Sequence, residues 1–267
     1  MTPMDILDYP FMQAALLMGL VLGALFPLMG VFVVTRGMAF FGDFLSHSAL
    51  LGGALALMAG VEPSVFLLFF CLIIAFAALS VWQRVSLSRD TVLGVFYGGT
   101  VSAGILLITM HGTGQQSLMQ FMLGDILLIT AGDIWLAAGL LLIFIAFSAM
   151  NMRRLVKVTF MPEVAEAEGI RVRAYEAALI GLMALSIALG IKVVGVLLAN
   201  AMVVIPAAAA KTVSRSFRAF LIAAPAFGVL SFMVGLALSF YLNLPSGPSI
   251  VATAFALFLL SLPFKAG

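Results

Sequence analysis

Nine stretches of this chain are both apolar enough and long enough to cross a bilayer. They are Phe11–Thr35, Gly37–Met58, Ser64–Trp82, Thr91–Met110, Ala131–Met150, Ala174–Ile191, Val193–Ala210, Phe217–Leu242 and Pro248–Phe264. A hydrocarbon layer about 30 Å thick takes about 20 helical residues to span. Inside it each backbone N–H and C=O must find a partner within the protein, which an α-helix supplies and an open strand does not. Charged residues are only 9% of the chain, against roughly 25% in a soluble domain. The fold class that follows is all-α: a polytopic transmembrane helical bundle, with residues 1–267 as a single domain. The boundary at Gly190–Ile191–Lys192 is soft, so the expectation is eight or nine spans. Leu118–Thr130 is too short to cross upright and reads as a short re-entrant or interfacial helix.

The basic residues orient these spans. With the amino terminus outside, Arg36, Arg84, Arg89, Arg153, Arg154, Lys157, Arg171, Arg173, Lys211, Arg215, Arg218 and Lys265 share the inner side. Of the 13 bases only Lys192 is then outside, and positive charge gathers on the cytoplasmic face of membrane proteins. The amino terminus is therefore expected outside and the carboxyl terminus in the cytoplasm. Met1–Pro10 carries Asp5 and Asp8 and no base, which predicts no cleaved signal peptide. A scattered net charge of +2 excludes nucleic acid as a partner; membrane lipid is the expected surrounding. The single cysteine, Cys71, excludes an intrachain disulfide.

Against this apolar background Asp43 and His47 interrupt the second stretch. Four residues apart, they share one helical face. An ionisable residue in a span costs roughly 2.5–3.5 kcal/mol on insertion scales, so it calls for a function. A carboxylate and an imidazole suit zinc, manganese or iron(II) better than copper(I). The structural alternative makes Asp43 a helix cap and His47 a hydrogen-bonded residue of the bundle. Two ligands are too few for a tight site, but an ion held too firmly would not leave a pathway. Asp125, in the short segment, is either a further ligand near the outer mouth or a cap. Asp133 reads as the N-cap of the next span, Asn200 as a structural polar residue, and His111 as a solvated loop residue. Pro206 is expected to kink the seventh span. The sixteen methionines are dispersed and suggest no copper site.

Asn151–Arg173 (151–173) is the longest loop expected in the cytoplasm. Within it Pro162–Gly169 reads as a short helix: proline suits the first turn, Glu163 the positive end, and Gly169 the stop. Such a helix suits a coupling element that receives a push from a motor protein; the plainer alternative is a polar loop. No G-x-x-x-x-G-K-[ST] phosphate loop occurs in the chain. The chain is therefore not expected to be an enzyme, and any ATP hydrolysis belongs to another subunit.

The segment Gly42-Asp43-Phe44-Leu45-Ser46-His47-Ser48-Ala49-Leu50-Leu51-Gly52 resembles the second-span region of bacterial zinc/manganese ABC-importer permeases. Six more blocks follow in that family's order: Leu93–Val95, Leu123–Leu127, Pro162–Gly169, Val194–Leu198, Val204–Ala210 and Pro245–Ser249. The resemblance covers essentially the whole chain. It implies the ABC-importer membrane-domain architecture and a pore formed with a second copy of the chain. It also implies two cytoplasmic ATP-binding subunits and an extracytoplasmic metal-binding protein. The transported substrate would be divalent Zn, Mn or Fe, with no permanently bound cofactor, and the location the bacterial cytoplasmic (inner) membrane. The resemblance carries Asp43 and His47 over as pathway residues, and Pro162, Glu163, Glu166 and Gly169 as the ATPase-coupling element. One position departs: the family's proline block commonly has threonine where this chain has Ala209.

Three other functions compete. A proton-coupled secondary transporter would use Asp43 and His47 as a relay. A permease for metal chelates of the siderophore or cobalamin class needs a large aromatic-lined cavity. An intramembrane protease is disfavoured, because no H-E-x-x-H and no second catalytic aspartate accompany Asp43.

Overall fold

The computed structural model describes residues 10–111 and 129–264. The described residues are helical throughout, apart from short links. In chain order the helices are α1 (Pro10–Thr35), α2 (Phe41–Ala59), α3 (Pro63–Trp82), α4 (Arg89–His111) and α5 (Ala131–Met150). Then come α6 (Met152–Phe160), α7 (Pro162–Ala167), α8 (Val172–Val213), α9 (Phe217–Leu242) and α10 (Ser246–Ser261), which ends in a 3-10 turn, Leu262–Phe264. Most of the Leu118–Thr130 segment, with Asp125, lies outside the described residues.

Among the described residues, eight helical stretches are long and apolar enough to cross a membrane. Two of them, Ala131–Met150 and Phe217–Leu242, have the limits expected from sequence. The sixth and seventh expected spans run into one helix, α8, of 42 residues. At 1.5 Å per residue that is about 63 Å, roughly twice the hydrocarbon layer. The run is broken at Gly195, with φ 81° and ψ 168°, a region open in practice to glycine alone. The break therefore falls beyond the expected Gly190–Lys192 boundary. It divides α8 into a spanning part, Val172–Val196, and a shorter apolar helix, Leu198–Val213. Pro206 lies inside that second part; Gly195, not proline, is where the dihedrals leave the helical range.

The helices form two compact units, each with its own packing. The first collects α1, the start of α5, the later part of α8, α9 and α10. Its helices approach closely at glycines. Gly23 of α1 faces the backbone of Gly228 and Val229 of α9, where an added Cβ would sit 3.1 Å from Val229 Cα. Gly30 meets the carbonyl of Val203, and Gly235 meets the backbone of Ile250 in the same way. Small residues let membrane helices gain van der Waals contact where no hydrophobic effect drives them together.

The second unit collects α2, α3, α4, the rest of α5, α6, α7 and the beginning of α8. Within it α2 packs between α3 and α4. Ser48 and Thr100 hydrogen-bond at 2.8 Å, Phe44 meets Phe96 edge-on, and Gly104 lies close against the backbone of Leu51. On α3, Val65, Phe69, Ile73 and Phe76 are exposed at helical spacing. A continuous apolar stripe of this kind belongs against lipid, because in water it would drive association.

Candidate functional site

The site begins with how α2 starts. Phe40 occupies the N-cap position and makes no side-chain cap hydrogen bond. Asp43 lies in the first turn, where exposed N–H groups and the helix dipole favour a carboxylate. The cap reading of Asp43 is thus replaced by a first-turn position. One turn later, His47 shares its face; both are half-buried among buried neighbours on α2.

The imidazole is fixed from two directions. His47 Nδ1 lies 2.9 Å from the carbonyl oxygen of Asp43. From α4, Tyr97 packs edge-on against the ring, with centroids 5.0 Å apart. A carbonyl oxygen only accepts, so Nδ1 carries a proton in this contact and Nε2 is the ring nitrogen left to face a ligand. The helix carries a carboxylate and an imidazole on one face, donor types suited to a borderline divalent cation. Among the described residues no group of three or more His, Cys, Asp or Glu gathers around a common point.

Tyr97 and the Ser48–Thr100 pair were not singled out from sequence. Tyr97 is a polar-tipped aromatic amid Phe96-Tyr97-Gly98-Gly99 in an apolar span, which was the available signal. Its partner on α2 is not visible in a linear pattern.

Asp133 differs from its expected role. Thr130 precedes α5, and its hydroxyl accepts from the Asp133 N–H at 3.2 Å. Asp133 Oδ2 in turn accepts from the N–H and hydroxyl of Thr130. This is a reciprocal capping box with threonine as the cap and aspartate three positions on. Asp133 also takes an ion pair from Lys192 at 2.7 Å, so the one base expected outside has a partner. His111 ends α4. Asn200 is half-buried in the later part of α8.

The 151–173 segment contains two helices rather than one. α7 has Pro162 in its first turn and ends before Gly169, whose φ of 76° makes the left-handed stop. Glu163, Val164 and Glu166 are exposed, while Ala165 is buried. The helix before it, α6, went unread in the sequence, although Leu155 and Val158 supply an apolar i, i+3 edge beside Arg153, Arg154 and Lys157. Val158, Ala165 and Val172 form a small core with Ile170 and Tyr175, so α6, α7 and the start of α8 make one platform. Tyr175 ties it further, accepting from Arg154 at 2.7 Å and donating to Asn151 at 3.2 Å. Lys157 pairs with Glu168 across α7. A groove of about 460 Å³ is lined in part by Phe147 of α5, Arg154 of α6, Glu168 and Arg171 of the link after α7, and Tyr175 of α8.

Eight apolar spans among the described residues define a multi-pass membrane protein. Residues 8–265 match the ABC 3 transport family, and the chain belongs to that family. It is similar to the high-affinity zinc uptake system membrane protein ZnuB of Haemophilus influenzae. The two are 36% identical over 249 residues, covering 93% of this chain and 95% of that protein. It is also similar to the manganese transport system membrane protein MntC of Halalkalibacterium halodurans, 32% identical over 262 residues, covering 98% and 89%. Among solved structures, PsaBC from Streptococcus pneumoniae in complex with Fab aligns with a TM-score of 0.82 at 27% identity. That alignment covers 97% of this chain and 95% of that one.

Proposed function

We propose that this chain is the membrane-spanning subunit of an ATP-driven importer of divalent transition-metal ions, zinc, manganese or iron. The observation that carries the reading is the pair on α2: Asp43 and His47 on one face, half-buried in a span, with the imidazole proton held on Nδ1. Relatives named for zinc uptake and manganese transport support the same substrate class. The chain acts as one permease domain. A second copy completes the conduit, ATP-binding subunits dock on α7 through Pro162, Glu163, Glu166 and Gly169, and an extracytoplasmic metal-binding protein delivers the ion. Asp125 is a candidate further ligand of the outer mouth. The distribution of basic residues supports a cytoplasmic membrane location with the amino terminus outside.

The test is metal uptake by sealed vesicles holding the chain with its ATPase and binding protein. Radiolabelled Zn(II) or Mn(II) entering only when ATP is hydrolysed supports the reading. Uptake driven by a proton gradient without ATP replaces it with a secondary transporter.

A further inference from the structure

Glu176, near the start of α8, is the centre of a buried ionic cluster that the pathway does not use. Its Oε1 accepts from Arg36 Nη1 at 3.3 Å and from Arg89 Nη2 at 2.9 Å, and its Oε2 accepts from Gln83 Nε2 at 3.2 Å. Arg36 also donates from Nε and Nη2 to the Thr159 hydroxyl on α6, at 3.3 and 3.2 Å. The side chains of Arg36 and Glu176 are only 1% and 9% exposed. Burial pulls the Arg36 pKa down to about 10, with Glu176 opposing the drop, so the guanidinium stays charged at neutral pH.

Stability does not account for such a cluster. Removing charges from water costs several kcal/mol per ion, and apolar replacements of buried pairs are often neutral or stabilising. What an ionic cluster supplies is defined geometry among the elements it joins. Here these are the link between α1 and α2, the end of α3, the start of α4, α6 and the start of α8.

The cluster lies between the two functional elements of its unit. On one side, Thr159 is on α6, whose Val158 packs with Ala165 of α7 and Val172 of α8. On the other, the link into α2 is clasped by the first turn of α4. Arg89 Nη1 donates to the Arg36 carbonyl at 3.3 Å, and the Phe40 N–H donates to Asp90 Oδ1 at 3.2 Å. Phe40 is the N-cap of α2, and Asp43 is in its first turn. α4 continues to Tyr97, against His47. Thr159 is thus joined through Arg36 and Glu176 to the starts of α2, which carries Asp43 and His47, and of α4, which carries Tyr97.

We propose that the Arg36–Glu176–Arg89 cluster is the joint that transmits movement of α6–α7 to Asp43 and His47, with Glu176 as a positioning residue at its hub. This rests on the permease reading above. The test uses the complete complex of this chain with its ATPase and binding protein in vesicles, measuring labelled Zn(II) or Mn(II) imported per ATP hydrolysed. Glu176→Gln removes the hub charge, and Thr159→Val removes the α6 contact at nearly constant shape. Both are expected to assemble with the ATPase and to hydrolyse ATP near the wild-type rate. Each should import about tenfold less metal per ATP, in the range by which residues along coupled networks act. The double variant should be little worse than the more affected single one, because both interrupt one path. Should Glu176→Gln not assemble, Thr159→Val decides alone. Wild-type metal per ATP in assembled variants overturns the joint while leaving the permease reading intact. Import and hydrolysis falling together with assembly in both variants also overturns it, by showing a structural role. Wild-type vesicles that import neither ion reject the permease reading and the joint with it.

Discussion

Asp43 holds His47 through its backbone: the Asp43 carbonyl oxygen lies 2.9 Å from Nδ1, one helical turn away. The Asp43 backbone thus holds the aim of the imidazole, and its carboxylate lies on the same helical face. Alanine at either position should reduce metal uptake to background while the complex still assembles, measured by co-purification beside labelled-ion uptake. His47→Gln should retain more uptake than His47→Asn, because only the longer amide reaches toward the Nε2 position. Equal uptake by His47→Ala and wild type would remove the imidazole from the pathway.

Tyr97 touches the His47 ring by its edge. Tyr97→Phe keeps that contact and should transport like wild type. Tyr97→Ala should lower uptake about two- to tenfold, the reach of one aromatic contact. A loss in Tyr97→Phe as large as in Tyr97→Ala would point to the hydroxyl instead of the ring.

The break in α8 depends on Gly195 at φ 81° and ψ 168°. A Cβ there is strained whatever space surrounds it. Gly195→Ala should cost about 1–3 kcal/mol of stability, seen as a lower midpoint in thermal unfolding of the detergent-solubilised protein. An unchanged midpoint would mean that α8 can rejoin without the break.

Glycine pairs divide into two kinds. Gly228 abuts the carbonyl of Gly23 and the ring of Pro27, so Gly228→Leu should force α1 and α9 apart and abolish folding or expression. Gly94 and Gly98 have the same spacing as Gly19 and Gly23, yet a Cβ at either meets nothing within 4 Å. Alanine at Gly94 or Gly98 should be neutral, or stabilising by up to about 1 kcal/mol through helix propensity. The same thermal assay reads both outcomes.

On α7, Val164 is exposed and Ala165 fully buried. Val164→Glu should leave the unfolding midpoint unchanged and release the ATPase in co-purification. Ala165→Glu should lower the midpoint, since it places a carboxylate in the small core of Val158 and Val172. Retention of the ATPase by Val164→Glu would move the docking face elsewhere.

Much of this was legible in the linear chain because it is local. An apolar run matched to a 30 Å layer marks a span wherever the rest of the chain goes, and α5 and α9 carry the expected limits. The i, i+4 spacing of Asp43 and His47 places them together by helix geometry alone. Pro162 and Gly169 bracket α7 through their own backbone preferences. Thr130–Asp133 was read one role off, because a capping box and a simple cap share residue types.

Tertiary structure decided the remainder. Arg36, Gln83, Arg89, Thr159 and Glu176 are scattered along the chain and read singly as ordinary flanking residues; folding brings Arg36, Gln83 and Arg89 onto the Glu176 carboxylate and Thr159 onto Arg36. Equal glycine spacings became a close contact in α1 and open space in α4. Proline drew attention in α8, and the break settled on a glycine. The physical reason is common to all three. Period, length and backbone preference are carried by neighbours in sequence, whereas the desolvation of a charge or the approach of two backbones depends on what arrives from elsewhere.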